Sequence, residues 1–218
     1  MIYNEKIIKN LNSKELDFLL ANGFRHFGDF FFRYNLMDYN NEIVNVLPLR
    51  INLANFKLSK NQKKIYKRNE NSIIKIDEIC ITEEIEKMFH AHKMKFKSNI
   101  PESIFTFLGE DTNRYPCESK QIMVYEHDKL YSVSFLDIGE SSTSSVYGIY
   151  DIEYSKKSPG IFSMLVEIEY SIKYKKEFYY PGYCYDVPSH YDYKKYFSGL
   201  EFFDWNGNWL PYEKYWTN

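Results

Sequence analysis

The residues best suited to chemistry fall in one run, Ser144 to Trp209. Behind Lys157-Ser-Pro, Gly160 is followed by Ile161, Phe162, Leu165, Ile168 and Ile172 at helical spacing. Gly160 therefore opens a helix whose first N–H groups have no partner within it. Such a terminus can cradle a phosphate or polarise a carbonyl. Phe178-Tyr-Tyr-Pro-Gly-Tyr-Cys-Tyr185 reads as the following strand, and Pro181 removes a ladder donor, which predicts a splayed edge or a bulge. A splayed strand beside a helix N-terminus can hold an acyl carbonyl against main-chain donors, so the chemistry implied is acyl transfer.

The elements that must position this run follow from periodicity. Ser13 is a candidate N-cap for a helix stopped by Gly23. Strands are expected at Asp29 to Tyr34 and Val44 to Leu53, an amphipathic helix at Ile76 to His92 and a short helix at Pro101 to Leu108. Gln121 to Tyr125, Lys129 to Asp137 and Ser144 to Tyr154 read as three antiparallel strands, the first pair turning at His127-Asp128. After the Gly160 helix and the Tyr180 strand come a helix or loop at Tyr191 to Tyr196 and a last strand near Leu200 to Trp205. The order implies an α+β domain of N-acetyltransferase-like (GNAT) type with a mixed, mainly antiparallel sheet over residues 71–218, preceded by a small α/β region over residues 1–70.

With 218 residues, 44% of them apolar, the chain can bury a core. No stretch approaches the roughly 18 apolar residues of a membrane span, and the opening residues lack the pattern of a signal peptide. Cys80, Cys117 and Cys184 are too scattered for a metal-ligand spacing. A cytoplasmic protein with no resident metal and no membrane partner is expected. The net charge of −2 does not mark a nucleic-acid binder. Between Lys57 and Arg68, however, Lys57, Lys60, Lys63, Lys64, Lys67 and Arg68 stand with no acid among them. If helical, this stretch gathers Lys57, Lys60, Lys64, Lys67 and Arg68 on one face, which can follow a phosphate backbone or simply face water.

Ser145, Val146, Tyr147, Asp151, Gly160, Gly182, Tyr183, Tyr193, Lys194, Phe197, Glu201 and Trp209 fall in an order that resembles the aminoacyl-tRNA-protein transferases, which include arginyltransferases and bacterial aspartate/glutamate leucyltransferases. A second block agrees: Gly23-Phe-Arg-His-Phe-Gly28 with Phe32-Arg33, Pro48-Leu-Arg50, and Phe56 to Lys64 ending at Arg68-Asn69. The resemblance covers about residues 20 to 212. Three departures stand out. Family members carry cysteines ahead of the Pro-x-Arg segment, where a metal or iron-sulfur cluster would sit, and this chain has Tyr34 to Val46 without one. His26 replaces the family's second Arg, and Pro181 a Leu.

The resemblance implies transfer of an amino acid, arginine or leucine, from aminoacyl-tRNA to the α-amino group of a protein or peptide with an acidic N-terminus. The implied catalytic positions are Tyr147, Asp151, Gly160, Tyr183 and Glu201, with Asp151 or Glu201 as the proton acceptor or as structural residues. Arg25, Arg50, Tyr193 and Lys194 would bind substrate, and Lys57, Lys60, Lys64, Lys67 and Arg68 the tRNA. No cofactor is expected beyond aminoacyl-tRNA as co-substrate. Three readings stand beside it: an acyl-CoA N-acyltransferase, weakened by the single Gly in Lys157 to Phe162; tRNA-dependent transfer to a small molecule; and a non-catalytic binding module.

Overall fold

The computed structural model describes residues 1–96, 100–109 and 115–212. The chain opens with strand β1 (Tyr3–Ile7), helix α1 (Ser13–Ala21), and strands β2 (Arg25–Phe27) and β3 (Phe30–Tyr34), which form a three-stranded antiparallel sheet in the order β1-β3-β2. The cap of α1 is Asn12 rather than Ser13: its side chain accepts from the N–H of Lys14 and Glu15 while Glu15 reaches back to the Asn12 N–H. Gly23 follows with φ +79°, where its lack of a Cβ ends the helix.

Next come β4 (Leu36–Tyr39), β5 (Glu42–Asn52), α2 (Lys60–Arg68), β6 (Ile73–Glu78), α3 (Glu83–Lys93) and α4 (Phe105–Leu108). The stretch read as one helix from Ile76 to His92 is two elements. Ile73, Ile74 and Ile76 instead lie in β6, which pairs with Lys120–Tyr125, and Thr82 caps α3 only afterwards. A three-residue spacing of isoleucines had mimicked a helical face.

β7 (Ser119–Glu126), β8 (Lys129–Ile138), β9 (Ser142–Tyr150), α5 (Pro159–Lys173), β10 (Phe178–Tyr185), β11 (Leu200–Phe203) and β12 (Trp209–Pro211) complete the chain. His127 and Asp128 both have positive φ, as a two-residue hairpin turn requires. The large sheet runs β12-β11-β5-β10-β9-β8-β7-β6, with β4 on β5, and among the described residues β9 and β10 are its only parallel pair. It is mixed and mainly antiparallel, as expected. Because β5 lies between β10 and β11, the residues before 70 and those after it share one sheet, and no boundary at residue 70 separates two cores.

Both faces of the sheet are covered. On one, α5 lays Phe162, Leu165, Val166 and Ile168 against Leu49, Ile51, Tyr131 and Leu136. On the other, α3 and α4 pack on Val133, Phe135 and Val146, and α1 packs with Phe24 and Phe31 around Tyr180. Asp17 ties α1 to the sheet by accepting from the Ser141 N–H at 2.7 Å and from the hydroxyls of Ser141 and Ser142.

Candidate active site

β9 and β10 stay paired for only three residues, Phe178↔Ser142, Tyr179↔Thr143 and Tyr180↔Ser144. Beyond that point β9 continues to Tyr150 and β10 to Tyr185 without pairing, so a gap opens inside the sheet. Pro181 stands at this divergence, beside a shift in the β5 register between Tyr179 and Gly182. β10 is thus an interior strand, so of the two expectations for its proline, a splayed edge or a bulge, the register shift answers to the bulge. The missing N–H costs nothing because no neighbour requires it there.

Two cations border the gap. From β2, the Arg25 guanidinium donates to the Ser145 carbonyl at 2.6 Å and to the Ser144 hydroxyl at 3.2 Å. From the 3₁₀ turn Asp192–Tyr196, Lys194 Nζ donates to the Tyr183 carbonyl at 3.1 Å and lies 4.9 Å from the centre of the Tyr191 ring. Each caps a carbonyl of one diverging strand. They meet at Gly182, φ +98°, where a Cβ would stand 3.2 Å from the guanidinium and 3.3 Å from Nζ. Burial and the neighbouring Arg25 push the Lys194 ammonium down to about 7.

The remaining expected site residues divide. Tyr147 stacks on Phe107 at 3.7 Å, and its buried hydroxyl has no hydrogen-bond partner among the described residues; burial raises its pKa to about 12. Its donor is uncommitted among the described residues, on the sheet face covered by α3 and α4. Burial also raises the Tyr193 hydroxyl, which feels the charge of Arg25. Gly160 lies in the exposed first turn of α5, whose cap residue Ser158 is left-handed and makes no side-chain cap bond, so no side chain competes for its N–H groups.

Four others have structural partners. Tyr183 donates to the Gly23 carbonyl at 2.6 Å, which spends its hydroxyl on the turn after α1. Asp151 pairs with Lys129 at 2.8 Å and accepts from the Glu153 N–H, capping the 3₁₀ turn Ile152–Lys157. Arg50 and Glu201 are cross-strand partners joined at 2.6 Å, and the Arg50 guanidinium lies 3.9 Å from the Phe178 ring and 4.5 Å from that of Trp209. That geometry braces β5 to β11.

α2 is a helix, so Lys60, Lys64 and Lys67 do share an exposed face. Lys57 precedes it, held by Ser198 through its own N–H and carbonyl, and lies outside the helical face. Arg68 donates to the Lys156 carbonyl at 2.6 Å and Asn69 to that of Lys157 at 3.0 Å. α2 thereby ends against the loop that leads into Gly160.

The residues where the resemblance would put cysteines form the β4–β5 hairpin. Val44 and Val46 pack there with Tyr185, flanked by Tyr34, Met37, Tyr39 and Tyr191. This apolar and phenolic set has no thiolate, and among the described residues the one imidazole beside it, that of His190 against Tyr39 and Tyr191, stands alone, so it does not fit an iron-sulfur cluster or a thiolate-bound metal. Elsewhere, ligand atoms of His26, Cys117 and Asp137 lie within 4.8 Å of one another. Both ring nitrogens of His26 already face oxygens, Gly28 O and Asp137 Oδ2, each at 2.8 Å. The ring is thus engaged on both sides and offers no free nitrogen to a metal ion.

Sequence reasoning missed Glu167, buried on the inner face of α5. The available signal was Ser163, Glu167 and Ser171 at four-residue spacing on an otherwise apolar helix face.

The profile of the arginine-tRNA-protein transferase C terminus matches residues 62–204, more than half of the chain. An aspartate/glutamate leucyltransferase of Leptospira interrogans is 28% identical over 202 residues, covering 87% of this chain and 74% of that protein. One of Campylobacter jejuni is 26% identical over 183 residues, covering 82% and 75%. Among solved structures, FemX superposes with a TM-score of 0.52 at 12% identity, over 84% of this chain and 66% of that one, a likeness of fold alone. The chain belongs to the aminoacyl-tRNA-protein transferase family and is a transferase enzyme.

Proposed function

We propose that the enzyme moves leucine or arginine from aminoacyl-tRNA to the α-amino group of a protein or peptide that begins with an acidic residue, and that transfer takes place in the gap between β9 and β10. The observation that carries this reading is the convergence of Arg25 and Lys194 on Gly182. A carboxylate side chain entering there finds a cation able to make two parallel bonds and a second one beside it. The relatives named aspartate/glutamate leucyltransferase favour the same acceptor and favour leucine as the group transferred.

The rest of the surroundings suits a tRNA 3′ end. A parallel strand pair that parts beside a helix N-terminus is the arrangement expected of a GNAT-type transferase. The first turn of α5 offers N–H groups to a phosphate or an oxyanion. The exposed lysines Lys60, Lys64 and Lys67 stand on the helix that abuts the entrance to α5. An aminoacyl ester is already activated, so the reaction needs orientation, a neutral amine and an oxyanion site rather than ATP. An α-amino group has an ordinary pKa near 8, so a weak base is sufficient. Tyr147 supplies an uncommitted hydroxyl for the ester or its ribose. The proposed compartment is the cytoplasm, where charged tRNA is found.

The test is incubation with leucyl- or arginyl-tRNA carrying a labelled amino acid and peptides that begin with Asp, Glu or Ala. Transfer confined to acidic N-termini is expected. Turnover of acetyl-CoA with no transfer from either tRNA would contradict the reading.

A further inference from the structure

The inner face of α5 lays its polar residues against hydroxyls of both β8 and β9. Ser163 Oγ meets Ser132 Oγ at 2.9 Å, and Ser132 in turn donates to the Ile149 carbonyl. Eight residues on, Ser171 Oγ meets Thr143 Oγ1 at 2.6 Å. The helix position between these pairs, Glu167, lies near the Ser134 hydroxyl on β8 and the Ser145 hydroxyl on β9. Ser145 is the first residue of β9 beyond its last pair with β10. Arg25 reaches that same point from the opposite face of the sheet, through the Ser145 carbonyl. A carboxylate and a guanidinium thus address one gap from its two sides.

Glu167 is 1% exposed. Its Oε2 accepts from the Tyr179 hydroxyl, while Oε1 has no hydrogen-bond partner among the described residues. The Ser134 hydroxyl is likewise buried and unpartnered. The hydroxyls of Ser134 and Ser145 approach closely enough to favour the ionised carboxylate, without either closing a bond to Oε1. A buried acceptor left without a partner costs stability, and the bond to Tyr179 occupies only one of the two carboxylate oxygens.

The geometry points to Glu167 as the proton acceptor of the transfer, reached from the gap through the Ser145 hydroxyl. This inference rests on the aminoacyl-transfer reading. The acceptor's ammonium gives one proton to Ser145 Oγ as the Ser145 proton passes to Glu167 Oε1. The freed amine nitrogen then attacks the ester carbonyl and forms the C–N bond. As the carbon–ribose oxygen bond breaks, a second amine proton goes to that ribose oxygen. The amide keeps the third, and Glu167 returns its proton to solvent. Being reached through Ser145, Glu167 is a positioning and proton-holding residue rather than one that touches the ester.

The electrostatics agree. The groups that face Glu167 are Tyr179 on β10, Ser134 on β8, Ser145 on β9, Arg25 on β2 and Tyr193 on the 3₁₀ turn. Burial raises the carboxyl to about 7 despite the opposing effects of the Tyr179, Ser134 and Ser145 hydroxyls and of Arg25. A carboxylate in that range is matched to an α-amino group near pH 7.

The experiment has two readouts. Carbon-13 NMR of glutamate-labelled enzyme without substrate should show a carboxyl that titrates near pH 7 and is missing from Glu167→Gln. Single-turnover transfer from charged tRNA should rise through the same midpoint, and Glu167→Gln should be about 100-fold slower with that limb gone. Tyr179→Phe removes a bond that favours the ionised form, so it should move both midpoints to higher pH, which a purely structural acid would not do to the rate. The inference is overturned if Glu167 stays ionised down to the ordinary carboxylate range, if Glu167→Gln keeps the rate and its limb, or if the limb disappears only in Lys194→Met. If the wild type transfers no amino acid from any tRNA, the functional reading fails and this inference with it, whereas a faulty Glu167 assignment leaves wild-type transfer intact.

Discussion

Arg25 and Lys194 approach one point above Gly182 from separate segments of the chain, 3.2 and 3.3 Å from where a Cβ would stand. The gap between β9 and β10 is therefore held open by charge and kept free by the absence of a side chain.

Gly182→Ala tests that statement. Its φ of +98° already disfavours an L side chain, and the new methyl would press on both cations. Gly207, φ +99°, has nothing within 4 Å of its would-be Cβ. Gly207→Ala should cost about 1–2 kcal/mol from strain alone, with transfer unaffected. Gly182→Ala should cost more and abolish transfer, as measured by denaturant titration and single-turnover assay.

Arg25→Lys keeps the charge but cannot reproduce the fork that joins the Ser144 hydroxyl to the Ser145 carbonyl. A charge-assisted bond of this kind contributes about 1.5–3 kcal/mol. The variant should lose about that much stability in chemical denaturation. The KM for peptides beginning with Asp or Glu should rise, while that for the charged tRNA stays close to wild type.

The Arg50–Glu201 pair is a brace, so its removal should read out as stability rather than specificity. Arg50→Met or Glu201→Gln alone should destabilise by about 1.5–3 kcal/mol, and the double variant by less than the two together. Preference for Asp over Ala at the acceptor N-terminus should not change in any of them. A lost preference would return Arg50 to the acceptor site.

Stability should rise with pH because of Lys194. Its folded pKa is about 7 and its unfolded one about 10.4. Between these values the unfolded chain binds more protons, so the folded state gains stability as pH increases, and below about 7 the buried charge is a standing cost. Lys194→Met should therefore raise the melting temperature more at pH 6 than at pH 9.5, by differential scanning calorimetry.

Much of this site was legible from local pattern. A glycine opening an apolar helix and a Pro-Gly inside a strand announced α5 and the divergence of β10, because each is a local backbone requirement, whereas Arg25 was legible only through the resemblance of its Gly-Phe-Arg block. What escaped was set by distant pairing. Arg50 and Glu201 are 151 residues apart, and only the β5–β11 register brings them together. Tyr183 was spent on Gly23 O by the docking of α1, which no neighbouring residue encodes. Ile76 reads as the start of a helix because its spacing to Ile79 suits that period until β7 is present to pair with it.

In the proposed function the lysines of α2 would bear on tRNA affinity alone. If Lys60, Lys64 and Lys67 meet phosphates, changing all three to Gln should reduce the slope of log affinity against log salt by roughly 2–3, measured by filter binding, with folding unchanged because all three are exposed.

The most direct measurement is a crystal structure with a hydrolysis-resistant, amide-linked leucyl-adenosine. The account predicts the aminoacyl carbonyl between Ser145 and Gly182, within reach of the Arg25 and Lys194 pair, with the adenosine toward the first turn of α5. An aminoacyl group bound outside the β9–β10 gap, with Arg25 and Lys194 remote from it, would contradict the account.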